Sequence, residues 1–354
     1  MHIKENQPLA PFTTFGIGGP ARWFAEAANE QEIAEAAEWA RGRGVPLFVL
    51  GGGSNLLVSD RGFPGLVLHV GLKSIEQDGE LFHSAAGEDW ERFVERAVEY
   101  GCAGIECLAG IPGTVGGAPV QNVGAYGQEV ASVIERVRVF DLETRQFTEF
   151  ENTECGFAYR RSRFNSTDRG RFIVTRVDYR LTPGGAPTLR YADVQRAMEA
   201  NRLSGCEPSG EPSLKEVAEA VRQIRRSKGM LLVNGDPNCH SAGSFFKNPV
   251  VSEEHFQEIA RRSAAREPPR FPAGPGAENA GRVKIPAAWL IEQAGFAKGY
   301  TMGNAGISSR HTLALINCGG ATAAEVLALA DKIAAAVEAR FGIRLEREPV
   351  LVGF

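Results

Sequence analysis

The sequence lacks a large excess of charge of either sign. Its 354 residues include 39 lysines and arginines and 43 aspartates and glutamates, which gives a formal net charge of −4. Proteins that bind a nucleic-acid backbone usually present a broad electropositive surface. The charge balance therefore argues against nucleic acid as a partner. The ordinary hydrophobic content of 43% likewise argues against a disordered or fibrous chain.

The sequence also lacks a hydrophobic run that could cross a bilayer. Its longest apolar stretches, such as residues 45–50, are far shorter than the roughly 20 residues that a membrane helix needs. The first seven residues do not contain the apolar core of a signal peptide. These features predict a cytoplasmic protein that does not act at a membrane.

Cysteine is sparse, and its spacing is not typical of a metal site or a disulfide framework. The six cysteines are scattered, with no Cys-x-x-Cys pair and no cysteine–histidine set at metal-ligand spacing. We therefore expect no bound metal, and we interpret the cysteines as reduced, buried and hydrophobic in character.

Glycine is in excess, with 41 residues, about 12% of the chain against a usual value of about 7%. The first glycine cluster, residues 51–55, directly follows a predicted strand over residues 45–50. Backbone N–H groups in such a turn can bind an anion. Leu56 stands where the Rossmann fingerprint requires a third glycine, and the sequence has no P-loop motif. A tight turn between two strands is an equally good explanation.

The second glycine cluster, residues 104–127, has seven glycines interleaved with aliphatic residues and contains no lysine or arginine. A flexible linker lacks such aliphatic residues. Glycine alternating with aliphatic residues suits a backbone packed against a flat apolar ligand or against another backbone. The two clusters together favour a large cofactor with a diphosphate and a planar ring, for which FAD is the obvious candidate. Two tightly packed turns remain the alternative.

The third cluster, residues 241–249, places Ser244 among small residues, ahead of two phenylalanines and Asn248. It contains no Gly-x-Ser-x-Gly elbow, so serine-hydrolase chemistry is unsupported. A serine hydroxyl that donates a proton needs no such motif.

Hydrophobic periodicity predicts mixed α and β structure. The predicted helices begin after Asn29 and end at Gly42 or Gly44, cover residues 90–98 and 214–224, and begin after Thr322 and end at Gly342. The predicted strands cover residues 45–50, 65–70 and 343–352, with an antiparallel sheet within residues 133–181. The four prolines within residues 266–281 predict a surface loop.

Eight motifs follow one another in order along the chain, at residues 14–19, 51–57, 110–118, 121–127, 159–164, 243–249, 284–295 and 345–348. Together they resemble the motifs of the UDP-N-acetylenolpyruvoylglucosamine reductases (UDP-N-acetylmuramate dehydrogenases) of bacterial peptidoglycan synthesis. The resemblance implies an α+β chain with the FAD-binding fold of the vanillyl-alcohol-oxidase (PCMH) type and a C-terminal α+β substrate-binding domain. The implied segments are FAD-binding subdomains at 1–72 and 73–215, a substrate-binding domain at 216–320, and a terminal helix and strand at 321–354 that pack back on the FAD-binding region.

The resemblance also implies a reaction. NADPH reduces non-covalently bound FAD, and the reduced cofactor converts the small-molecule substrate UDP-N-acetylglucosamine enolpyruvate into UDP-N-acetylmuramate. A monomer is expected. Three alternatives stay open: a flavin-dependent sugar or alcohol oxidase of the same fold, a non-catalytic protein that binds a nucleotide sugar or flavin, and a structural protein with no cofactor.

By the same resemblance, Arg160, Ser244 and Glu348 are catalytic. Arg160 would bind the substrate carboxylate, Ser244 would deliver a proton to C2, and Glu348 would stabilise the developing charge. Glu346 stays an alternative to Glu348, because two residues along a strand share a face.

The resemblance implies two further sets of residues. The substrate-binding set is Tyr159, Tyr191, Lys228, Asn248 and Gln293. The FAD-binding set is Gly51, Gly52, Gly53, Ser54, Asn55, Leu56, Ile111, Gly113, Thr114, Gly117, Asn122, Gly124, Ala125 and Tyr126. Without the resemblance, Arg160 would be a solvated or ion-paired strand residue, Lys228 a helix C-terminal cation, Gln293 a helix surface residue and Tyr191 a sheet-edge aromatic.

Overall fold

A computed structural model of the chain describes residues 1–203, 211–263, 267–273 and 279–354. These residues divide into two compact units. Unit 1 consists of Met1–Gln7, Ala21–Gly53 and Pro64–Ser227, and unit 2 consists of Pro8–Pro20, Ser54–Phe63 and Lys228–Phe354. Both units mix helices with sheets, which confirms the predicted α+β class.

The helices and strands are numbered in chain order. The helices are α1 (Glu30–Gly42), α2 (Trp90–Glu99), α3 (Ala192–Leu203), α4 (Leu214–Ser227), α5 (Glu253–Arg262), α6 (Ala287–Gln293) and α7 (Ala323–Phe341). The strands are β1 (Ile3–Pro8), β2 (Pro20–Ala27), β3 (Leu47–Leu50), β4 (Leu56–Val58), β5 (Phe63–Val70), β6 (Ile75–Asp78), β7 (Leu81–Ala85), β8 (Cys102–Ala103), β9 (Gly124–Ala125), β10 (Gln128–Glu129), β11 (Ile134–Asp141), β12 (Gln146–Glu151), β13 (Phe172–Arg180), β14 (Thr182–Pro183), β15 (Val250–Ser252), β16 (Phe271–Pro272), β17 (Arg282–Lys284), β18 (Thr301–Met302), β19 (Ala305–Ile307), β20 (Leu315–Asn317) and β21 (Val350–Val352). None of the helices in the described ranges is long and apolar enough to cross a membrane.

Unit 1 is built on two large sheets. The first has the strand order β1-β2-β5-β3, and β3 runs parallel to β5. The second has the order β12-β11-β13-β7-β6 and is antiparallel throughout, which confirms the antiparallel sheet predicted within residues 133–181. The side chain of Asn29 accepts a hydrogen bond from the amide of Glu32 at 3.0 Å, so α1 begins as predicted. It ends at Gly42, also as predicted.

The core of unit 1 contains a buried hydroxyl that its surroundings do not satisfy. Tyr179 on β13 is fully buried, with its ring centroid 4.7 Å from that of Phe93. Its hydroxyl oxygen has no hydrogen-bond partner within the described residues, and burial raises the pKa of Tyr179 well above its ordinary value. Folding therefore transfers this hydroxyl from water to the protein interior, where no described residue replaces the hydrogen bonds that it makes with water.

We expect Tyr179→Phe to raise the free energy of unfolding by about 1 kcal/mol, because leaving a buried polar group unsatisfied costs roughly 1–3 kcal/mol. Urea denaturation of the two proteins measures the difference. Tyr300→Phe is the matched control, since the hydroxyl of Tyr300 accepts a hydrogen bond from Lys332 at 2.8 Å near solvent. The control should change the free energy by less than about 0.5 kcal/mol. A Tyr179→Phe protein less stable than wild type would contradict the expectation.

Unit 2 contains two small antiparallel sheets, in the orders β15-β17-β16 and β18-β19-β20, and the parallel pair β4 and β21. Its long helix, α7, begins with a reciprocal capping box between Thr322 and Glu325 and ends at Gly342, where φ is +69°. Both ends of this helix confirm the prediction.

Two predictions for unit 2 were partly wrong. The final regular strand begins at Val350 rather than at residue 343, because the chain changes partners at Pro349, which has no N–H to donate. Residues 346–348, before Pro349, pair with residues 245–247, whereas residues 350–352, after Pro349, pair with β4. The predicted loop at 266–281 includes the edge strand β16, which pairs with β17; residues 266 and 274–278 of that loop lie outside the described residues.

Candidate functional site

In unit 1 the turn that follows β3 lies directly on the second glycine cluster. A Cβ atom at Gly52 would lie 2.6 Å from the Cα atom of Gly113, and one at Gly51 would lie 2.8 Å from Oγ1 of Thr114. Side chains do not fit at such distances. The first two glycine clusters therefore permit a close approach of backbone to backbone, which is one of the two explanations that the sequence allowed.

Both of these turns present amide groups that do not donate to any residue the structure describes. The N–H groups of Gly52, Gly53, Gly113 and Thr114 donate no hydrogen bond to any described residue. At Gly53 and Gly113 φ is +63° and +133°, conformations that glycine adopts without strain. Unpaired amides on adjacent turns bind anions without help from lysine or arginine. This arrangement fits the diphosphate of a dinucleotide cofactor.

A buried arginine that the sequence analysis did not single out holds the second glycine cluster. Arg225 on α4 is 8% exposed, and its Nε donates to the carbonyl of Gly110 at 2.9 Å. Its guanidinium also hydrogen-bonds Tyr126, while burial lowers the pKa of Arg225. The amide of Gly110 donates to the carboxylate of Glu91. One signal in the sequence could have predicted the burial of Arg225. It follows Val221 by four residues and therefore lies on the apolar face of α4.

Arg160 lies in a tight turn and not in a strand. Ala158 and Arg161 exchange backbone hydrogen bonds at 2.9 and 3.0 Å, and Tyr159 and Arg160 form the tip between them. Arg160 has φ of +53°, which is uncommon for a residue other than glycine. Its Nη1 donates to the carbonyl of Gly124 at 3.0 Å. The turn thus attaches this guanidinium to the second glycine cluster.

Asn122 connects the turn of Arg160 to the same cluster. Its Nδ2 donates to the carbonyl of Ala158 at 3.0 Å and to Glu129 at 3.1 Å, and its Oδ1 accepts from the amide of Ala131 at 3.1 Å. Asn122 is also only 2% exposed. Its side chain therefore acts on the protein itself, and its amide also donates within the chain, to the carbonyl of Pro119 at 3.3 Å.

Two tyrosines lie in contact in unit 1. The ring of Tyr191 packs edge-on against that of Tyr126, with centroids 5.3 Å apart and an interplanar angle of 89°. Tyr126 is buried, whereas Tyr191 is 40% exposed and immediately precedes α3. Tyr191 is consequently a residue at a helix start, not a sheet-edge aromatic.

In unit 2 three extended segments bring Ser244 next to Glu348. The amide of Phe245 donates to the carbonyl of Leu313 at 2.8 Å, and the carbonyl of Phe245 accepts from the amide of Glu348 at 2.9 Å. Ser244 is half-buried, and its hydroxyl has no hydrogen-bond partner within the described ranges. The hydroxyl of Ser244 is therefore not used by any described residue, and the main chain of the next residue, Phe245, pairs with that of Glu348.

The two candidate glutamates differ in their surroundings. The side chain of Glu346 is 71% exposed, and its carboxylate pairs with Nζ of Lys247 at 2.6 Å. Glu348 is half-buried, and its carbonyl accepts from Nδ2 of Asn55 at 3.3 Å. The amide of Val350 in turn donates to the carbonyl of Asn55 at 2.9 Å. Asn55, at the end of the first glycine cluster, thus holds the main chain at Glu348.

Lys228 is the first residue after α4 and is half-buried, close to a histidine that sequence reasoning missed. Burial and the positive charges of Lys228 and Lys298 lower the pKa of His311 to about 4. Nδ1 of His311 accepts from the amide of Leu313 at 3.0 Å. The imidazole is therefore neutral at pH 7, and the positive charge around it comes from the two lysines.

The two remaining predicted residues are Asn248, which contacts the first residue of α6, and Gln293, which is the last residue of that helix. Oδ1 of Asn248 accepts from the amide of Ala287, the first residue of this helix, at 2.9 Å. Gln293 is the last residue of the helix, about 9 Å farther along its axis. Gln293 is half-buried, so it is not the fully solvated helix residue that its sequence context alone suggested.

Comparisons with known proteins identify two matching regions of the chain. A protein-family model described as "FAD binding domain" matches residues 21–146, and one described as "UDP-N-acetylenolpyruvoylglucosamine reductase, C-terminal domain" matches residues 236–352. The first match confirms the predicted FAD-binding fold.

Several relatives are similar over nearly the full length. A UDP-N-acetylenolpyruvoylglucosamine reductase of Streptomyces coelicolor is 45% identical, over 99% of this chain and 90% of the relative. One of Pseudomonas putida is 39% identical, over 98% of each chain. The crystal structure of a UDP-N-acetylenolpyruvylglucosamine reductase from Thermus caldophilus matches with a TM-score of 0.66 and 28% identity, over 99% of this chain and 100% of that chain.

Proposed function

Because this chain belongs to the UDP-N-acetylenolpyruvoylglucosamine reductase family, we propose that it reduces UDP-N-acetylglucosamine enolpyruvate to UDP-N-acetylmuramate, with FAD as cofactor and NADPH as reductant. The near full-length similarity to named reductases carries this proposal. The reaction forms a precursor of peptidoglycan. We further propose a cytoplasmic monomer that acts on this small molecule and needs neither nucleic acid nor a membrane.

The direct test is product formation. Incubation with NADPH and UDP-N-acetylglucosamine enolpyruvate should give a product heavier by two hydrogen atoms, measured by mass spectrometry, with one NADPH oxidised per product. NADPH oxidation that depends on oxygen and leaves this substrate unchanged would instead indicate an oxidase.

The residues of unit 1 fit the cofactor. The amides of Gly52, Gly53, Gly113 and Thr114, which donate to no described residue, suit its diphosphate, and Gly52 is exposed while Gly113 and Thr114 are half-buried. FAD, when bound, supplies the hydride that adds to C3 of the enolpyruvyl group. The assigned FAD-binding residues are Gly51, Gly52, Gly53, Ser54, Asn55, Leu56, Ile111, Gly113, Thr114, Gly117, Asn122, Gly124, Ala125 and Tyr126.

Three side chains complete the reduction. Arg160 binds the substrate carboxylate, because a guanidinium holds a carboxylate through two parallel hydrogen bonds. Negative charge develops through C2 into that carboxylate, and Glu348 stabilises it by donating a hydrogen bond in its protonated form. Ser244 delivers the proton to C2. The half-buried hydroxyl of Ser244, with no hydrogen-bond partner in the described ranges, supports this role.

The substrate-binding residues are Tyr159, Tyr191, Lys228, Asn248 and Gln293. Lys228 provides a positive charge for the diphosphate of the substrate, and Lys298 adds to the positive charge around His311. Unit 1 contains most of the proposed FAD-binding subdomains at 1–72 and 73–215, and unit 2 contains most of the proposed substrate-binding domain at 216–320 and the terminal segment at 321–354.

A matched pair of variants tests the choice of glutamate. We expect Glu348→Gln to lower kcat about tenfold, because a carboxamide still donates a hydrogen bond but loses the stronger one that an acid forms. Glu346→Gln should leave kcat within about twofold, since this exposed carboxylate only pairs with Lys247 near solvent. Steady-state kinetics of both variants measure the effect. A larger loss in Glu346→Gln would reverse the assignment.

A further inference from the structure

A fully buried carboxylate lies beside the second glycine cluster. Glu106 has no exposed surface, and its Oε2 accepts from the amide of Gly104 at 2.8 Å. Its Oε1 accepts from Nε2 of Gln128 at 2.8 Å and from the amide of Thr188 at 2.7 Å. Neutral donors alone hydrogen-bond it within the described part of the chain. Burying a polar group without hydrogen bonds is costly, and these three hydrogen bonds offset that cost at Glu106.

Every polar group of Thr188 takes part in the same cluster. Its amide donates to Glu106, its hydroxyl oxygen accepts from Nε2 of Gln128 at 3.1 Å, and its carbonyl accepts from Sγ of Cys107 at 3.2 Å. The other end of the Gln128 amide is also fixed, since its Oε1 accepts from the amide of Cys107 at 2.7 Å. We call Glu106, Gln128 and Thr188 the Thr188 clamp.

The clamp holds the segment that leads into α3, together with the packing of Leu189 on the core and a hydrogen bond from Nε2 of Gln195 to the carbonyl of Leu189 at 2.7 Å. Residues 185–190 form neither helix nor strand, and they connect β14 to α3. Tyr191 follows Thr188 by three residues, and Tyr126 precedes Gln128 by two. One hydrogen-bonded cluster therefore holds the two pieces of chain whose tyrosine rings meet edge-on at 5.3 Å.

We propose that Glu106 and Gln128 are positioning residues that act through Thr188 to hold Tyr191 in place for substrate binding. The inference rests on the proposed function, because it takes Tyr191 to be a substrate-binding residue. A merely structural role for Glu106 would lower stability without a selective effect on the Tyr191 segment or on the substrate.

Glu106→Gln tests this proposal, because a carboxamide of the same size has only one acceptor oxygen for the three donors that Glu106 satisfies. We expect amide hydrogen exchange within residues 186–196 to accelerate about tenfold, which corresponds to one buried hydrogen bond lost, and the KM for UDP-N-acetylglucosamine enolpyruvate to rise by about the same factor. Exchange in β11–β13 and the rate of flavin reduction by NADPH should not change. Both readouts use the FAD-loaded protein.

Asp141→Asn is the matched control. Asp141 is another buried carboxylate of unit 1, and its hydrogen bond with Arg171 holds its pKa at about 2. This variant should lower stability and leave both the KM and the exchange of residues 186–196 as in wild type. If Glu106→Gln does not fold, Thr188→Val keeps the shape of Thr188 and removes only its hydroxyl contact, with a smaller rise expected in the same two readouts.

Unchanged exchange in residues 186–196 would overturn the proposal, and so would faster exchange with an unchanged KM. These outcomes presuppose a wild-type enzyme that turns over the enolpyruvyl substrate. Failure of the proposed function would appear separately, as absence of that turnover in wild type.

Discussion

Ser244→Ala should retain flavin reduction by NADPH and lose turnover of UDP-N-acetylglucosamine enolpyruvate by on the order of 10³-fold, within the range that a general acid contributes. The reason is that Ser244 delivers the proton to C2 and takes no part in the step in which NADPH delivers its electrons. Its hydroxyl makes no hydrogen bond with a described residue, so its removal leaves no donor or acceptor of those residues unpaired.

Stopped-flow measurement of the two half-reactions separates these effects. Ser252→Ala is the control for replacing serine by alanine in unit 2, because the hydroxyl of Ser252 only caps α5 by accepting from the amide of His255 at 3.2 Å. The free energy of unfolding of Ser252→Ala should be about 1 kcal/mol lower than that of wild type, and the rates of both half-reactions should not change. Loss of both half-reactions in Ser244→Ala, or normal turnover, would contradict the role of Ser244.

Gly52→Ala should bind FAD on the order of a hundredfold more weakly, the equivalent of about 3 kcal/mol of overpacking. The new methyl group would lie 2.6 Å from Cα and 2.9 Å from the carbonyl carbon of Gly113. Because both atoms belong to the backbone, the two turns must separate, and their unpaired amides then move apart. We therefore expect the variant to be purified with little flavin.

Titration of the apoprotein with FAD, followed by absorbance or fluorescence, gives the affinity. Gly42→Ala is the matched control, since the added Cβ at the end of α1 would have no described atom within 4 Å apart from its chain neighbours and the backbone of the helix itself. That protein should bind FAD as wild type does and should be slightly more stable. Wild-type FAD affinity in Gly52→Ala would show that the contact between the two turns does not form the cofactor site.

The sequence predicted best those elements whose signals are local. The caps and apolar faces of α1 and α7 lie within each helix, so their ends agree closely with the prediction. Strand ends depend on pairing partners elsewhere in the chain. The first predicted strand begins at Leu47, after Pro46, and the last begins at Val350, after Pro349. In each case the lack of an N–H on proline marks where regular pairing starts.

The contacts within the candidate site also depend on residues far apart in the chain, so the sequence did not predict them. Glycine clustering indicated a close backbone approach, but the particular pair Gly52 and Gly113 is visible only in the structure. Arg225 contacts Gly110, which is 115 residues away, and Glu106 contacts Thr188, which is 82 residues away. Contacts between residues so far apart in the chain cannot be predicted from a single sequence. The only local sign of them is a polar residue within an apolar pattern.

The most direct test of the account is an anaerobic visible spectrum of the purified protein, recorded before and after addition of NADPH and again after addition of UDP-N-acetylglucosamine enolpyruvate. The account predicts a flavin band that NADPH bleaches and that the enolpyruvyl substrate restores in the absence of oxygen. A colourless protein that does not take up FAD, or a reduced flavin that only oxygen reoxidises, would contradict it.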